Sequence, residues 1–362
     1  MEILNNIIIY SFSFILLLSI IVFVHEFGHY YVAILNKVKV ETFSIGFGKE
    51  IIGWTDKRGT RWKICMLPFG GYVKMFGEDI FSKKKIPISL IKYAFCKKKI
   101  YQRFLIVIAG PLANFIFGII GFAFVYSLVG TTFIPPIINS VKNNSPAHIA
   151  GLLKDDKIIS IDNNKIKSFT DIRVTINLYK KDSYTFEILR NKEHIKKNIK
   201  PILSIEDFYG EKRDVALIGI SSYEPELIKH SFLRSLYLGT ESTYKICSLT
   251  LEALYQMIIG NGSFDDLGGP IKIAHFSGKM LEQGVLSFIN LVILLSVSIG
   301  LINLFPIPML DGGHLTLYLI EFILGKPVNK NVQENMFKFG FVIIITLAVL
   351  LTYNDIINIF KL

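Results

Sequence analysis

The sequence predicts a polytopic α-helical membrane protein with four transmembrane helices, a membrane-associated β-loop region and one inserted α/β domain. Hydrophobic residues make up 51% of the 362 residues and charged residues only 19%, below the roughly 25% of ordinary globular domains. Four stretches without Asp, Glu, Lys or Arg account for this excess, and three of them reach about 18 residues, enough to cross a bilayer. The composition excludes a disordered chain and a purely soluble enzyme. The four stretches are residues 7–24, 105–129, 286–304 and 339–351.

The first transmembrane helix is assigned to residues 1–36. The apolar run that begins at Ile7 continues past Val24 to Leu35 without a small-residue cleavage site. The residues before it include Glu2 but no Lys or Arg, whereas a signal peptide needs a basic segment there. We therefore expect a retained membrane helix instead of a cleaved leader.

A metal-binding motif, His25-Glu-Phe-Gly-His29, lies near the end of this helix. Positions i and i+4 share one helix face, so the two imidazoles converge on one ion with Glu26 beside them. Zinc binds imidazole readily, and a catalytic site keeps one position for water, from which Glu26 is predicted to take a proton for delivery to a leaving amine. Ionisable residues in an apolar helix are costly and by default functional. A purely structural histidine pair at a helix end is the weaker alternative.

Residues 37–104 are predicted to form a β-loop region followed by a basic segment. Glu41–Phe47 and Trp62–Leu67 favour short strands, joined by a turn at Asp56–Thr60. Pro68–Gly71 is typical of a tight turn. The region is too apolar and too rich in glycine for a solvated loop, so we expect a small hairpin packed on the membrane face.

The distribution of charge predicts the orientation in the membrane. Residues 30–104 contain 16 Lys and Arg against 5 Asp and Glu, a balance of +11 that equals the net charge of the whole chain. Lys and Arg near helix ends favour the cytoplasmic side, so both termini and residues 130–284 are expected on the outer side of the membrane. Beside a membrane helix, such a cluster is expected to set topology or to contact anionic lipid, and no nucleic-acid partner is expected.

The second helix is assigned to residues 105–129 and the inserted domain to 130–222. Within the domain, a short helix starts at Pro146 and ends at Gly151, a strand covers Lys157–Ile161, and Asn163-Asn164 is predicted to form the following hairpin turn. This run resembles the PDZ domains of bacterial proteases, with Asp155 and Asn164 where those domains have glycine. The resemblance implies capture of an extended peptide or a chain end by strand addition.

Residues 223–284 are assigned to an amphipathic helix and a linker. Apolar positions recur at helical spacing over residues 228–260. A helix on the outer membrane surface and an ordinary packed helix both fit this pattern.

Residues 285–315 are assigned to the third helix, and residues 316–362 to a loop and the fourth helix. Pro306 and Pro308 break the third helix, and broken helices are tolerated in a membrane where they are buried in protein or line a cavity. Asp311 is the candidate third metal ligand, because an isolated carboxylate would not stay ionised in this apolar setting but one bound to zinc would.

The two motifs together resemble the site-2 protease family of intramembrane zinc metalloproteases, and within it the bacterial RseP-type branch of sigma-E regulator proteases. The resemblance covers the whole chain. It implies that His25, His29 and Asp311 bind Zn²⁺ and that Glu26 is the catalytic base. His314 is not matched to a ligand, and a supporting or interfacial role is expected for it.

Other family elements extend the resemblance. Asn303, Pro306 and Pro308 match the NxxPxP run implicated in substrate handling, and Asn114, the last residue of Gly110-Pro-Leu-Ala-Asn114, is a further candidate substrate-binding residue. Residues 267–271 resemble the GPI element that precedes the third helix. The best-known members of this branch have two PDZ domains, whereas this chain has room for one.

These features predict a zinc-dependent endopeptidase that cleaves transmembrane segments of proteins in the lipid bilayer. The resemblance points to an anti-sigma factor already trimmed outside the membrane, or to remnant signal peptides. The alternative is a non-catalytic chaperone or scaffold that binds transmembrane helices and PDZ ligands, but a scaffold has no need for Glu26. A metal transporter would need more polar groups along its helices than the second helix offers.

Overall fold

A computed structural model gives the structure of the protein and describes residues 2–78, 86–208, 211–260 and 268–360. Lys83–Lys85 of the basic segment and Leu267 lie outside the described residues. The chain divides into two compact units. The first contains Met1–Phe122, Gly239–Cys247 and Gly268–Ile357, and the second contains Ala123–Leu238, Ser248–Leu267 and Asn358–Leu362.

Helices dominate the first unit and strands the second. The helices are α1 (Glu2–Leu35), α2 (Ile100–Leu128), α3 (Pro146–Ile149), α4 (Phe169–Tyr179), α5 (Phe232–Ile258), α6 (Pro270–Glu282), α7 (Val285–Asn303), α8 (Asp311–Leu324) and α9 (Lys330–Phe360). The strands are β1 (Val40–Thr55), β2 (Arg61–Met75), β3 (Thr131–Phe133), β4 (Ile138–Val141), β5 (Lys157–Ile161), β6 (Asn164–Lys165), β7 (Tyr184–Arg190), β8 (Glu193–Ile199), β9 (Ile202–Phe208), β10 (Glu211–Leu217), β11 (Ile220–Ser222) and β12 (Glu226–Ile228).

Four helices in the described residues are long and apolar enough to cross a membrane, which confirms the predicted number. They are α1, α2, α7 and α9. The predicted helix at residues 228–260 is also present, as α5.

The third helix differs from its predicted extent of residues 285–315. It ends at Asn303, and Asp311 starts a separate helix, α8, that continues to Leu324 where a loop was predicted. The prolines at 306 and 308 cause the interruption, because neither has an N–H group to continue the helical hydrogen bonds.

Glycines let the interrupted segment fold back onto α8. A Cβ atom on Gly312 would lie 2.1 Å from the carbonyl oxygen of Phe305, and one on Gly313 would lie 2.5 Å from that of Ile307. Gly340 of α9 is equally close to the break, since its Cβ would lie 2.2 Å from the Pro308 carbonyl oxygen. The two glycines after Asp311 are therefore required by packing.

The β-loop region is a bent two-stranded ribbon whose strands are longer than predicted. Ile45 of β1 pairs with both Ile64 and Gly71 of β2, and Ile52 pairs with Ile64. The strand halves consequently run in the order second half of β1, first half of β2, first half of β1, second half of β2. The predicted tight turn at Pro68–Gly71 is wrong. This segment lies inside β2, where Gly70, at φ +94°, bends the strand without reversing it.

The predicted turn at Asp56–Thr60 is confirmed and tethers the ribbon to α1. The Asp56 carboxylate accepts hydrogen bonds from the backbone N–H of Thr60 (3.0 Å), the Trp62 indole N–H (2.9 Å) and the Tyr30 hydroxyl (3.2 Å). Beneath these contacts, Tyr30, Phe43 and Ile106 belong to one buried apolar cluster. The ribbon is thus held against the end of α1 that carries the histidine motif.

The inserted part of the second unit contains a four-stranded sheet in the order β6-β5-β7-β8, with a buried core that includes Ile158, Tyr184 and Phe186. The predicted short helix is present as α3, capped by the Ser145 hydroxyl, which accepts from the His148 N–H at 3.2 Å. The predicted strand is β5.

The hairpin turn of this domain lies one residue earlier than predicted. Asp162 and Asn163 adopt the left-handed conformation, with φ of +47° and +69°, and β6 begins at Asn164. Asp and Asn tolerate this conformation better than most residues. Asp155, which stands where the PDZ resemblance expects glycine, also has a positive φ, of +68°.

Candidate metal centre

Three side chains from two helices converge in the first unit. His25 and His29 lie one turn apart on α1, and Asp311 is the first residue of α8. The Nε2 atoms of the two histidines are 3.2 Å apart, and Asp311 Oδ2 lies 3.1 Å from Nε2 of His25 and 3.4 Å from Nε2 of His29. The predicted ligand set is therefore assembled in space.

The spacing of these three atoms suits zinc. Ligands at 2.0–2.1 Å from a tetrahedral ion lie about 3.3–3.4 Å from one another, close to the three observed separations. Two imidazoles and one carboxylate are also a known donor set of catalytic zinc sites with an open fourth position. Asp311 lies in the first turn of α8, where the helix dipole favours an ionised carboxylate. The residues present fit a zinc ion.

Helix α2 backs the metal centre at close range. A Cβ atom on Gly28, between the two histidines, would lie 2.2 Å from the carbonyl oxygen of Ala109. A Cβ on Gly110 would lie 2.3 Å from His29 Nε2 and 2.9 Å from His25 Cε1. Glycine at both positions lets the imidazoles lie directly against the α2 backbone.

The same helix fixes the tautomer of His29. Its Nδ1 lies 2.9 Å from the carbonyl oxygen of Ile106. Because a carbonyl only accepts hydrogen bonds, Nδ1 carries a proton, and in the neutral imidazole this leaves Nε2 unprotonated and able to bind a metal ion.

A cavity of about 500 Å³ opens in front of the three ligands. Glu26 faces it beside the second half of β2, where a Cβ atom on Gly71 would lie 3.3 Å from Glu26 Cγ. The β2 residues in its wall are Gly70, Gly71, Tyr72, Val73 and Met75. The cavity is therefore bounded by the histidine motif on one side and by one strand of the ribbon on another.

The predicted substrate-binding residues occupy different places. Asn303, at the end of α7, lines the cavity. Pro306 and Pro308 lie in the break between α7 and α8. Asn114 is fully buried on α2, with its side-chain amide 3.3 Å from His25 Nδ1. His314 lines the cavity, and its ring centroid lies 4.9 Å from that of Phe337.

Several residues of the cavity wall were not singled out from the sequence, among them Tyr318 and Glu78. Tyr318 is seven positions after Asp311 on α8, and this spacing places both residues on one helix face. The sequence could therefore have predicted that Tyr318 lies near the metal centre. Glu78 also lines the cavity, just after β2, and its carboxylate accepts from the Met75 N–H at 3.0 Å. No local pattern marks Glu78, because its position depends on how the ribbon bends.

Comparison with known proteins gives a family and several relatives. Residues 13–347 match peptidase family M50. A Rickettsia conorii protein named "Putative zinc metalloprotease" is 43% identical over 96% of this chain and 99% of its own length. The "Regulator of sigma E protease" of Haemophilus influenzae is 30% identical over 96% of this chain and 98% of its own length. Among solved structures, the PDZ domain of an SdrC-like protein from Listeria monocytogenes is 25% identical over 25% of this chain and 90% of its own, with a TM-score of 0.20.

Proposed function

The chain belongs to peptidase family M50, as a zinc metalloendopeptidase with membrane-spanning helices, and we propose that it cuts the transmembrane segments of other membrane proteins near the cytoplasmic side. The observation that carries this proposal is the convergence of His25, His29 and Asp311 on one point beside Glu26. No other cluster of three metal-ligating side chains occurs in the described part of the chain.

His25, His29 and Asp311 hold the zinc ion in this proposal. When bound, zinc supplies Lewis-acid chemistry that polarises the scissile carbonyl and acidifies water. Glu26 takes the proton from the attacking water and delivers it to the leaving amine, which is general base and then general acid catalysis by one carboxylate. Asn303 lies in the cavity wall, beside the space through which the substrate backbone would pass.

The second half of β2 is the proposed support for the unwound substrate. A transmembrane helix hides its amides in internal hydrogen bonds, so it must become extended before hydrolysis. The second half of β2 pairs with β1 along one edge, and no described strand pairs with its other edge. Strand addition along Gly70–Met75 would hold an extended segment in the cavity next to Glu26.

The proposed natural substrates are an anti-sigma factor already trimmed outside the membrane and, second, remnant signal peptides. The relative named "Regulator of sigma E protease" supports the first of these. The excess of Lys and Arg in residues 30–104 supports an orientation with this segment in the cytoplasm, and with both termini and the inserted domain on the outer side of the cytoplasmic membrane.

Purified protein in lipid vesicles, given a model transmembrane substrate, tests the proposal. Glu26→Gln is expected to lower cleavage by about 10²- to 10⁴-fold and to keep zinc at the wild-type ratio, because Glu26 moves protons and does not bind the ion. Asp311→Asn is the matched comparison, and it should lose zinc as well as activity. Substantial cleavage by Glu26→Gln would refute the mechanism. Substrate binding without cleavage by the zinc-loaded wild type would favour a scaffold.

A further inference from the structure

Asn114 is fully buried beside a predicted metal ligand, whereas a substrate-binding residue would have to be reached by the substrate. It is fully buried on α2, four residues after Gly110, and its amide lies 3.3 Å from His25 Nδ1. Its Oδ1 atom is also buried and accepts no hydrogen bond from any residue that the structure describes. A buried polar atom without a partner costs free energy, so the position of this amide calls for a specific cause.

The orientation of His25 supplies that cause. Its Nε2 atom faces the other two ligand atoms, at 3.2 Å from His29 Nε2 and 3.1 Å from Asp311 Oδ2. If Nε2 binds the ion, the proton of the neutral imidazole must lie on Nδ1, which then needs an acceptor. A half-turn of the Asn114 amide exchanges Oδ1 and Nδ2. It gives the Nδ1–H an acceptor and the buried Oδ1 a donor at the same time.

The arrangement repeats what α2 does for the other histidine. His29 Nδ1 donates to the Ile106 carbonyl oxygen at 2.9 Å. Ile106 and Asn114 lie on either side of Gly110, about two helical turns apart, and Gly110 provides the room for both rings. Helix α2 thus presents one acceptor to each histidine, a backbone carbonyl in one case and a side-chain amide in the other.

We propose that Asn114 is a positioning residue for the metal centre: its Oδ1 accepts from His25 Nδ1–H, fixes the tautomer and ring angle of His25, and so sets zinc affinity. The inference rests on the zinc site of the proposed function. It replaces substrate binding as the role of Asn114.

The test compares two substitutions at this position in the full-length protein. Asn114→Leu keeps the approximate volume and removes the acceptor, whereas Asn114→Asp keeps an acceptor oxygen at the same place. Zinc affinity, measured by competition with a chelator, should fall about 10- to 100-fold in Asn114→Leu, the usual effect of losing such a partner, and stay within a few-fold of wild type in Asn114→Asp. The absorption spectrum of the cobalt-loaded protein should change in Asn114→Leu only.

Ser296→Ala provides a matched control, because Ser296 is also fully buried in a membrane-spanning helix and its hydroxyl has no hydrogen-bond partner among the described residues. This control should bind zinc like the wild type. Wild-type zinc affinity with a raised KM in Asn114→Leu would overturn the proposal in favour of substrate binding. Equal loss of zinc affinity in the Leu and Asp variants would overturn it in favour of side-chain shape. Failure of the wild type to bind zinc would instead refute the metal site itself.

Discussion

At the scale of single residues, two glycines decide how closely α1 and α2 approach at the metal centre. Gly28 lies inside the histidine motif, and its missing side chain admits the backbone of Ala109. Gly110 admits the imidazoles of His25 and His29. The histidine motif of α1 and the glycine-containing motif of α2 therefore pack directly against each other. Local patterns gave each motif, but only the packing explains why both contain glycine.

Gly110→Ala tests this fit. Alanine favours a helix interior over glycine by roughly 0.5–1 kcal/mol, so any loss of metal must come from the new Cβ, which would lie 2.3 Å from His29 Nε2. We expect zinc affinity to fall more than tenfold and cleavage to fall with it. Metal content after gel filtration and a cleavage assay measure both effects.

Gly118→Ala is the control for this prediction. Its Cβ would also lie at 2.3 Å from a neighbour, but that neighbour is Val297 Cγ2 of α7. This variant should lower the unfolding temperature and retain the wild-type ratio of zinc to protein. Full zinc occupancy in Gly110→Ala would show that the imidazoles do not depend on the close approach of α2.

At the scale of the elements, the fourth membrane-spanning helix caps α6. Helix α6 begins at Pro270, after Gly269 as its N-cap. The Asp355 carboxylate of α9 accepts three hydrogen bonds there at 3.0 Å, from the N–H groups of Gly269, Ile271 and Lys272. Asp355 is only 3% exposed. These donors and the positive end of the helix dipole compensate its burial.

Asp355→Ala is expected to loosen α6. Three N–H groups at the start of α6, of which that of Gly269 is buried, would lose their acceptor, at a cost of about 1–3 kcal/mol for each group that stays buried and unsatisfied. Hydrogen exchange of the α6 amides should therefore accelerate, and the unfolding temperature should fall. Asp355→Asn, which keeps one acceptor oxygen, should show a smaller effect. Thr352→Val, which removes an exposed hydrogen bond within α9, should leave α6 exchange unchanged. Wild-type exchange of α6 in Asp355→Ala would contradict the capping role.

The same residue shows where sequence reasoning succeeds and where it stops. Long uncharged runs predicted the membrane-spanning helices because burial in lipid is a local requirement. The fourth predicted stretch ends at residue 351, yet α9 continues through Asp355 to Phe360. The charge of Asp355 is compensated by a helix distant in sequence, which no local pattern reveals. Helix α6 escaped prediction for a related reason, since it is held by α1 contacts such as the Ser13–Ser277 hydroxyl pair at 3.0 Å.

The metal centre was more predictable than its supports. The i, i+4 histidine spacing and the acid that follows a broken helix are local signals. The partner of each histidine on α2 is a tertiary contact, so Asn114 was assigned to substrate binding from resemblance alone. The bent β2 strand was missed because a glycine that bends a strand and a glycine that ends one look alike in sequence.

At the scale of the whole molecule, the two ends of the inserted segment pair with each other as short antiparallel strands. Strand β3 pairs with β12 in the register Phe133–Glu226, Thr132–Leu227 and Thr131–Ile228. The inserted segment therefore extends to residue 228, beyond the predicted boundary at 222. Paired residues in an antiparallel ladder have Cα atoms about 4.5–5.5 Å apart, so a two-residue turn can join Phe133 directly to Glu226.

Excision of Ile134–Pro225, with Asn-Gly in its place, follows from this geometry. Asn-Gly suits a two-residue hairpin turn and keeps the ladder intact. In the proposed orientation the domain lies outside, on the opposite side of the membrane from the chemistry, and we expect it to reject substrates whose outer domain is still attached. The excised protein should keep its zinc and cut a pre-trimmed substrate at close to the wild-type rate. Its preference for trimmed over full-length substrate should fall at least tenfold.

The two substrates separate a filter from a structural support. A filter predicts that only the full-length substrate gains from excision, because the trimmed one already passes. If the excised enzyme still rejects the full-length form as strongly as the wild type does, selection resides elsewhere in the chain. If cleavage of both substrates is lost together with zinc, the domain supports the fold, since contacts between domains often contribute stability. A second excision, with a longer Gly-Ser linker in place of Asn-Gly, controls for strain at the join. Relief of such strain would restore activity without changing the ratio of the cleavage rates of the trimmed and full-length substrates.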